Sequence, residues 1–213
     1  MKIRWLGHAC FLITSSDGLR VMTDPYTPGG ELRYAPIRET ADIVTVSHGH
    51  FDHGNVGAVG GKPEVLRQSG TVRGIRFSAV ETFHDGELGR QRGRNTVFLF
   101  VLDGIRLAHF GDLGHELSSQ QLEQVGAIDV AMVPVGGYYT IGPGEAWELC
   151  QQVKARVILP MHYRTAKVGM PIAPIDDFIR GRSGVRKLEV SEVELVRERL
   201  PQATEIIVLK SAL

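Results

Sequence analysis

The residues best suited to chemistry lie in one run, His48-Gly49-His50-Phe51-Asp52-His53. Imidazole nitrogen and carboxylate oxygen are ordinary ligands of zinc and similar first-row cations. In extended backbone, residues two apart point the same way, so His48 and His50 can reach one ion. Asp52 and His53 fall after the turn and can reach a second point. Gly49 and Gly54 let the backbone bend closely around such a site. The run directly follows Ile43-Val44-Thr45-Val46-Ser47, which reads as a buried strand, so the ligands stand at a strand's C-terminal end. A polar turn with histidines by chance is the bland alternative, and the spacing argues against it.

His-x-His-x-Asp-His after a buried strand resembles the signature of the metallo-β-lactamase superfamily. The resemblance implies an α/β fold, a four-layer αββα sandwich with metals at one edge between two sheets. It also implies three more ligands in order. Thr82-Phe83-His84-Asp85-Gly86 offers His84, His109-Phe110-Gly111-Asp112 offers Asp112, and Pro160-Met161-His162-Tyr163 offers His162. By this resemblance one metal is held by His48, His50 and His84. The other is held by Asp52, His53 and His162, and Asp112 bridges both. Many true lactamases of the superfamily carry cysteine where Asp112 stands, so the aspartate points to a dinuclear hydrolase. Trp5-Leu6-Gly7-His8-Ala9-Cys10-Phe11, Asp24-Pro25 and the segment from Pro134 to Pro143 resemble a branch of small cytoplasmic metal-dependent hydrolases. That branch is similar to ascorbate-6-phosphate lactonases and, more distantly, to N-acyl-phosphatidylethanolamine phospholipases D.

Two bound divalent ions would lower the pKa of a coordinated water toward about 7 and stabilise the charge developing on a carbonyl or phosphoryl oxygen. Zinc is the expected metal, and manganese, iron or nickel suit the same ligands. The expected catalytic residues are Asp52, which accepts a proton or orients the nucleophile, Asp112, and His109 as a neighbour of the site or proton donor. A structural role is the alternative for His109, as it is for His8 in the turn after the first strand. Asp24 is a candidate support for a ligating histidine, or else a turn residue. Arg90, Arg92, Arg94 and Arg164 lie close in sequence to His84 or His162 and would suit a phosphate or carboxylate; ordinary loop arginines are the alternative. Tyr138 and Tyr139 line a pocket or pack in the core. His115 reads as a loop residue.

The elements that must position these groups are mostly strands. Two apolar stretches within residues 1–13 read as strands around a turn, and further strands read at 19–23, 43–47, 75–80, 96–102, 105–110, 130–134, 157–160 and 205–209. Asp17-Gly18 and Asp103-Gly104 predict two hairpins. Helices are predicted at 118–125 and 143–153, with shorter ones at 55–59, 175–180 and 193–200. No repeat or linker divides the chain, which suggests one layered domain over residues 1–213.

Composition narrows the function. Lys+Arg and Asp+Glu are both 24, so the chain is neutral and a role in coating nucleic acid is not expected. Two cysteines are too few for a disulfide scaffold. No run approaches the ~20 apolar residues of a membrane span, and no cleavage pattern follows Ile13, so a cytoplasmic location is expected without membrane insertion. The leading reading is a metal-dependent hydrolase of a small anionic ester, lactone or phosphodiester. A nuclease or RNA-processing enzyme on the same fold, and a non-catalytic metal-binding or redox module, are the alternatives. A homo-oligomer is left open.

Overall fold

Residues 2–14 alternate their side chains between two faces and pair as an antiparallel hairpin, β1 (Lys2–Gly7) with β2 (Cys10–Thr14). The computed structural model describes residues 1–213. The Asp17-Gly18 turn returns the chain as β3 (Arg20–Thr23), antiparallel to β2; β4 (Ile43–Thr45) and β5 (Glu64–Leu66) then add in parallel.

The second sheet starts with β6 (Gly70–Val72), β7 (Ile75–Phe83), β8 (Arg94–Leu102) and β9 (Ile105–His109), each antiparallel to the one before. Asp103 and Gly104 make the β8–β9 turn, both at positive φ, 49° and 72°. Next come α1 (Ser119–Val125), β10 (Val130–Pro134), α2 (Pro143–Gln152), β11 (Val157–Met161), α3 (Ile175–Ile179), β12 (Val185–Lys187), β13 (Glu192–Glu194) and β14 (Glu205–Val208). Ser118 caps α1 reciprocally with Gln121, and Pro143 opens α2.

The six-stranded sheet runs β13-β1-β2-β3-β4-β5, and the eight-stranded sheet runs β12-β14-β11-β10-β9-β8-β7-β6. Ile3, Phe11, Ile13, Val21 and Ile43 of the first sheet join the large core shared with the second. Ala146, Leu149 and Cys150 bury the inner face of α2 in that same core, and α2 packs on β10 and α3. This is the expected two-sheet sandwich of mixed α/β type. The other face of the six-stranded sheet, through Leu6, Cys10, Met22 and Val44, is covered mainly by loop residues such as Tyr26, Tyr34, Ile37 and Met170. No helix is long and apolar enough to cross a membrane.

Two sequence expectations change. Residues 193–200 are not a helix but the end of β13 followed by a 3-10 turn at Arg197–Arg199. The free edge of β1 supplies backbone partners for Glu192–Glu194, and that tertiary pairing overrides the local pattern. Residues 55–59 shorten to a 3-10 turn at Val56–Ala58. Three-residue edge strands such as β5 and β12 escape sequence reading because their side chains are largely exposed and show no alternation.

The topology sets the site. β1, β3 and β4 run one way in their sheet, and β7, β9, β10 and β11 run one way in theirs. Their C-terminal ends carry His8, Asp24, His48, His84, Asp112, Tyr139 and His162.

Candidate metal centre

The residues singled out by sequence come together at this edge of the sandwich. Donor atoms of His48, His50 and His84 lie within 4.8 Å of one another, as do those of Asp52, His53, His162 and His8. Between the two groups stands Asp112. Its Oδ2 is 3.1 Å from His53 Nε2, 3.1 Å from His84 Nε2, 3.4 Å from His162 Nε2 and 3.8 Å from His48 Nε2.

Hydrogen bonding decides which ring nitrogens are free. Asp24 is an acceptor only, so Ser47 Oγ must donate its one proton to Asp24 Oδ2, at 2.5 Å. His48 Nδ1 must then be the donor to Ser47 Oγ, at 2.9 Å. By the same logic His53 Nδ1–H donates to Asp24 Oδ2 at 2.8 Å, and His84 Nδ1–H donates to the Tyr139 carbonyl at 3.1 Å. In neutral imidazoles this leaves three Nε2 lone pairs facing one carboxylate oxygen. Without metal, a proton on His53, whose pKa its carboxylate neighbours raise, satisfies only part of this cluster; a divalent cation among the lone pairs replaces that proton and engages the rest.

The donor set therefore fits divalent metal. Buried polar atoms without a hydrogen-bond partner concentrate here: His48 Nε2, His53 Nε2, Asp112 Oδ1 and His162 Nδ1, with His8 Nδ1 and His109 Nδ1 beside them. Such groups are costly unless an unseen partner satisfies them.

Strained and crowded backbone holds the ligands in place. His8, Asp24 and His162 have φ of 52°, 37° and 51°, conformations unusual for non-glycine residues and typical of functional sites. The Asp112 backbone N–H donates to Asn95 Oδ1 at 2.9 Å. Asn95 in turn donates to Thr82 Oγ1 and the Phe110 carbonyl. A Cβ on Gly114 would collide with the backbone of His84 and Asp85, and one on Gly136 with the His162 carbonyl. Both glycines allow neighbouring loops to press directly against ligand-bearing backbone.

Several residues stand differently from their sequence reading. His8 is buried in the turn after β1, 3.2 Å from Asp52 Oδ2, with its ring 4.2 Å from that of His162. His109, expected in the catalytic set, is fully buried and bonds the Ala9 carbonyl through Nε2 at 2.9 Å. Its Nδ1 faces Asp24 Oδ2 at 3.8 Å, so it lies behind Asp24 and cannot reach a substrate. His115 accepts the Phe83 N–H and ties its loop to β7. Arg90, Arg94 and Arg164 are exposed and do not line the pocket. Ser47, Asn95 and the Tyr139 carbonyl were missed, because nothing in a lone serine, asparagine or peptide group marks its eventual partner.

A pocket of about 360 Å³ opens over the ligands, lined also by Glu31, Phe51, Arg92, Tyr139 and Met170. A larger cleft of about 730 Å³ between α1 and β7 holds none of the ligands.

Burial keeps several imidazoles neutral. It depresses His8 to about 4, with help from His162, and His48 to about 3, with help from His53. His50 and His109 are also lowered, burial being the main cause. In His53 burial works the same way, but Asp112 and Asp52 outweigh it and raise the pKa well above the ordinary value. In metal-free protein the unfolded chain takes up protons at His8 and His48 below about pH 6.5, while the folded chain resists until about pH 4 and 3. Their stabilisation is full above pH 6.5 and is lost as pH falls through the folded values. His53 has the opposite sign, and the lowered histidines outnumber it. The melting temperature in chelator should drop by roughly 5 °C or more from pH 7 to pH 5. A flat or rising profile would contradict neutral buried imidazoles.

A family model described as the Beta-lactamase superfamily domain matches residues 2–162. The chain belongs to the beta-lactamase superfamily. Among relatives in this superfamily, a UPF0173 metal-dependent hydrolase of Methanoculleus marisnigri is 32% identical over 190 residues, covering 78% of this chain and 82% of its own. Another, from Methanospirillum hungatei, is 32% identical over 190 residues, covering 78% and 84%. A solved structure from Thermotoga maritima, described as a candidate Zn-dependent hydrolase of the metallo-beta-lactamase superfamily, is 39% identical with a TM-score of 0.80, covering 98% of this chain and 97% of that one. With the His/Asp cluster above, these likenesses place this beta-lactamase superfamily member among metal-dependent hydrolases.

Proposed function

We propose that the chain hydrolyses a small anionic ester, lactone or phosphodiester at a two-ion site. His48, His50 and His84 would hold one divalent ion, Asp52, His53 and His162 the other, and Asp112 both. The observation that carries this reading is the Asp112 carboxylate set among four imidazole nitrogens, between two donor groups. When bound, such ions lower the pKa of a coordinated water toward about 7 and polarise a carbonyl or phosphoryl oxygen.

The chain's own residues do the rest. Asp52 lines the pocket and stays ionised, its pKa lowered by His53 and His8 against the opposing effect of burial. It is oriented by His8 and, as a persistent acceptor, would orient the attacking water by taking a hydrogen bond from it. Asp24 and Ser47 fix the His48 and His53 rings, so the ligands need no reorganisation when charge develops. The pocket volume suits a small molecule. Zinc is the proposed ion on this histidine-rich donor set, and manganese, iron or nickel compete for it by availability.

Elemental analysis of protein purified without added metal, paired with a panel of esters, lactones and phosphodiesters, tests this reading. Two ions per chain are expected, with turnover of at least one class that chelator abolishes and zinc restores. Fewer than two ions at saturation, or turnover that survives chelation, contradicts it.

A further inference from the structure

We propose that Arg92 is a specificity residue that binds an anionic group of the substrate, a carboxylate or phosphate, separate from the bond being cleaved. It lines the pocket with His50, Asp52, His84, Asp112 and His162, and it is the only lysine or arginine there. Its side chain makes no ion pair and no hydrogen bond to protein. The other cations nearby in sequence differ: Arg90 is exposed, and Arg94 points to solvent beside Glu81 at 3.8 Å.

Arg92 is also held in position. Its guanidinium carbon is 5.5 Å from the centre of the Tyr139 ring, a cation–π contact. The same Tyr139 orients His84 through its carbonyl. The loop carrying Arg92 is organised by Asp85, whose Oδ1 accepts the N–H groups of Glu87 and Gly89 at 2.8 and 2.9 Å. Asp85 Oδ2 accepts those of Gln91 and Arg92 at 3.1 and 2.8 Å. Asp85 directly follows His84, so one short stretch fixes both a metal ligand and the arginine.

A half-buried guanidinium with five donors, packed on an aromatic ring and left without a counter-ion, matches the planar face of a carboxylate or phosphate. Glu31 also lines the pocket, carries the opposite charge and does not pair with Arg92, which leaves Arg92 as the place for the anion. Phe51 and Met170 supply apolar wall. The substrate class is thus a small molecule with a scissile group over the metal ligands and a second, unreacting anion at Arg92. The proposal rests on the hydrolase reading for the scissile group, and not for the anion contact itself.

The test uses zinc-loaded full-length protein and titration calorimetry with butyrate, succinate and 3-phosphonopropionate. All three offer one carboxylate to the metal side; the last two add a carboxylate or a phosphonate. Wild type should bind at least one dianion about 10-fold or more tighter than butyrate. Arg92→Ala should bring that dianion down to the butyrate level while butyrate changes by less than about 2-fold, and Arg92→Lys should recover part of the preference. Which dianion is preferred separates carboxylate from phosphate recognition. Equal binding of all three by wild type, or a preference that survives Arg92→Ala in folded, zinc-replete protein, overturns the proposal. A negative hydrolase panel with an Arg92-dependent dianion preference would sink the activity reading and leave the anion site standing. A positive panel without that preference would do the reverse.

Discussion

Replacing Asp112 by alanine is expected to leave at most one divalent ion per chain and to lower turnover by roughly 10³-fold or more, about 4 kcal/mol of transition-state stabilisation. The carboxylate lies between two donor groups, its Oδ2 within 3.8 Å of the Nε2 atoms of His48, His53, His84 and His162; Asp24 also lies near His48 and His53 but is engaged by Ser47 and by His53 Nδ1. The loop should keep its place, because the Asp112 backbone N–H is held by Asn95 independently of the side chain. Asp112→Asn should behave almost as badly, since a neutral amide lacks the charge and the second anionic oxygen needed to hold two cations. Metal content by elemental analysis and kcat on the best panel substrate check this. A variant with two ions and full activity would remove Asp112 from the bridging position.

Asp24→Ala should be the most damaging change among residues that do not themselves face the pocket. The carboxylate is fully buried and accepts the Ser47 N–H at 2.7 Å, the Ser47 hydroxyl at 2.5 Å and the His53 Nδ1–H at 2.8 Å. Burial pushes its pKa up, but the neighbouring imidazoles of His109 and His53 and the bond from His53 outweigh this and lower it below the ordinary value. Removing it orphans three donors and leaves the His48 and His53 rings without a fixed tautomer. The expected cost is about 3–5 kcal/mol of folding stability in metal-free protein. Zinc retention should weaken by roughly 10–100-fold. Denaturant titration in chelator and competition with a zinc-binding dye measure the two effects. Stability within about 1 kcal/mol of wild type, with unchanged zinc affinity, would contradict the role assigned to Asp24.

Much of this site is legible along the chain because its parts are local. The run from His48 to His53 displays its ligands within six positions, directly after a strand. His84, Asp112 and His162 each stand at or just past a strand's C-terminal end, where the resemblance looks for them. Strands with strong apolar patterning, such as Val130–Pro134, fall where the pattern puts them. The short edge strands and the segment 193–200 do not, since their structure comes from a neighbour's free backbone rather than from their own side chains.

His8 and His109 mark the boundary of what sequence can tell. Both are histidines near strand ends and read alike, yet His8 touches Asp52 and His109 turns to the Ala9 carbonyl. Arg92 likewise looks no different from Arg90 or Arg94 until the Asp85 loop folds and aims it inward.

The sequence by itself determined the ligand types, their order and their placement at strand ends, and with them the class of chemistry, because side-chain identity and strand periodicity are properties of neighbouring residues. The tertiary structure decided which imidazole nitrogens are free to bind metal, which histidine stands behind the site, and which arginine enters the pocket. Those outcomes depend on hydrogen bonds between distant positions, 29 residues apart for Asp24 and His53 and 55 for His84 and Tyr139, which exist only once the two sheets have packed their strand ends together.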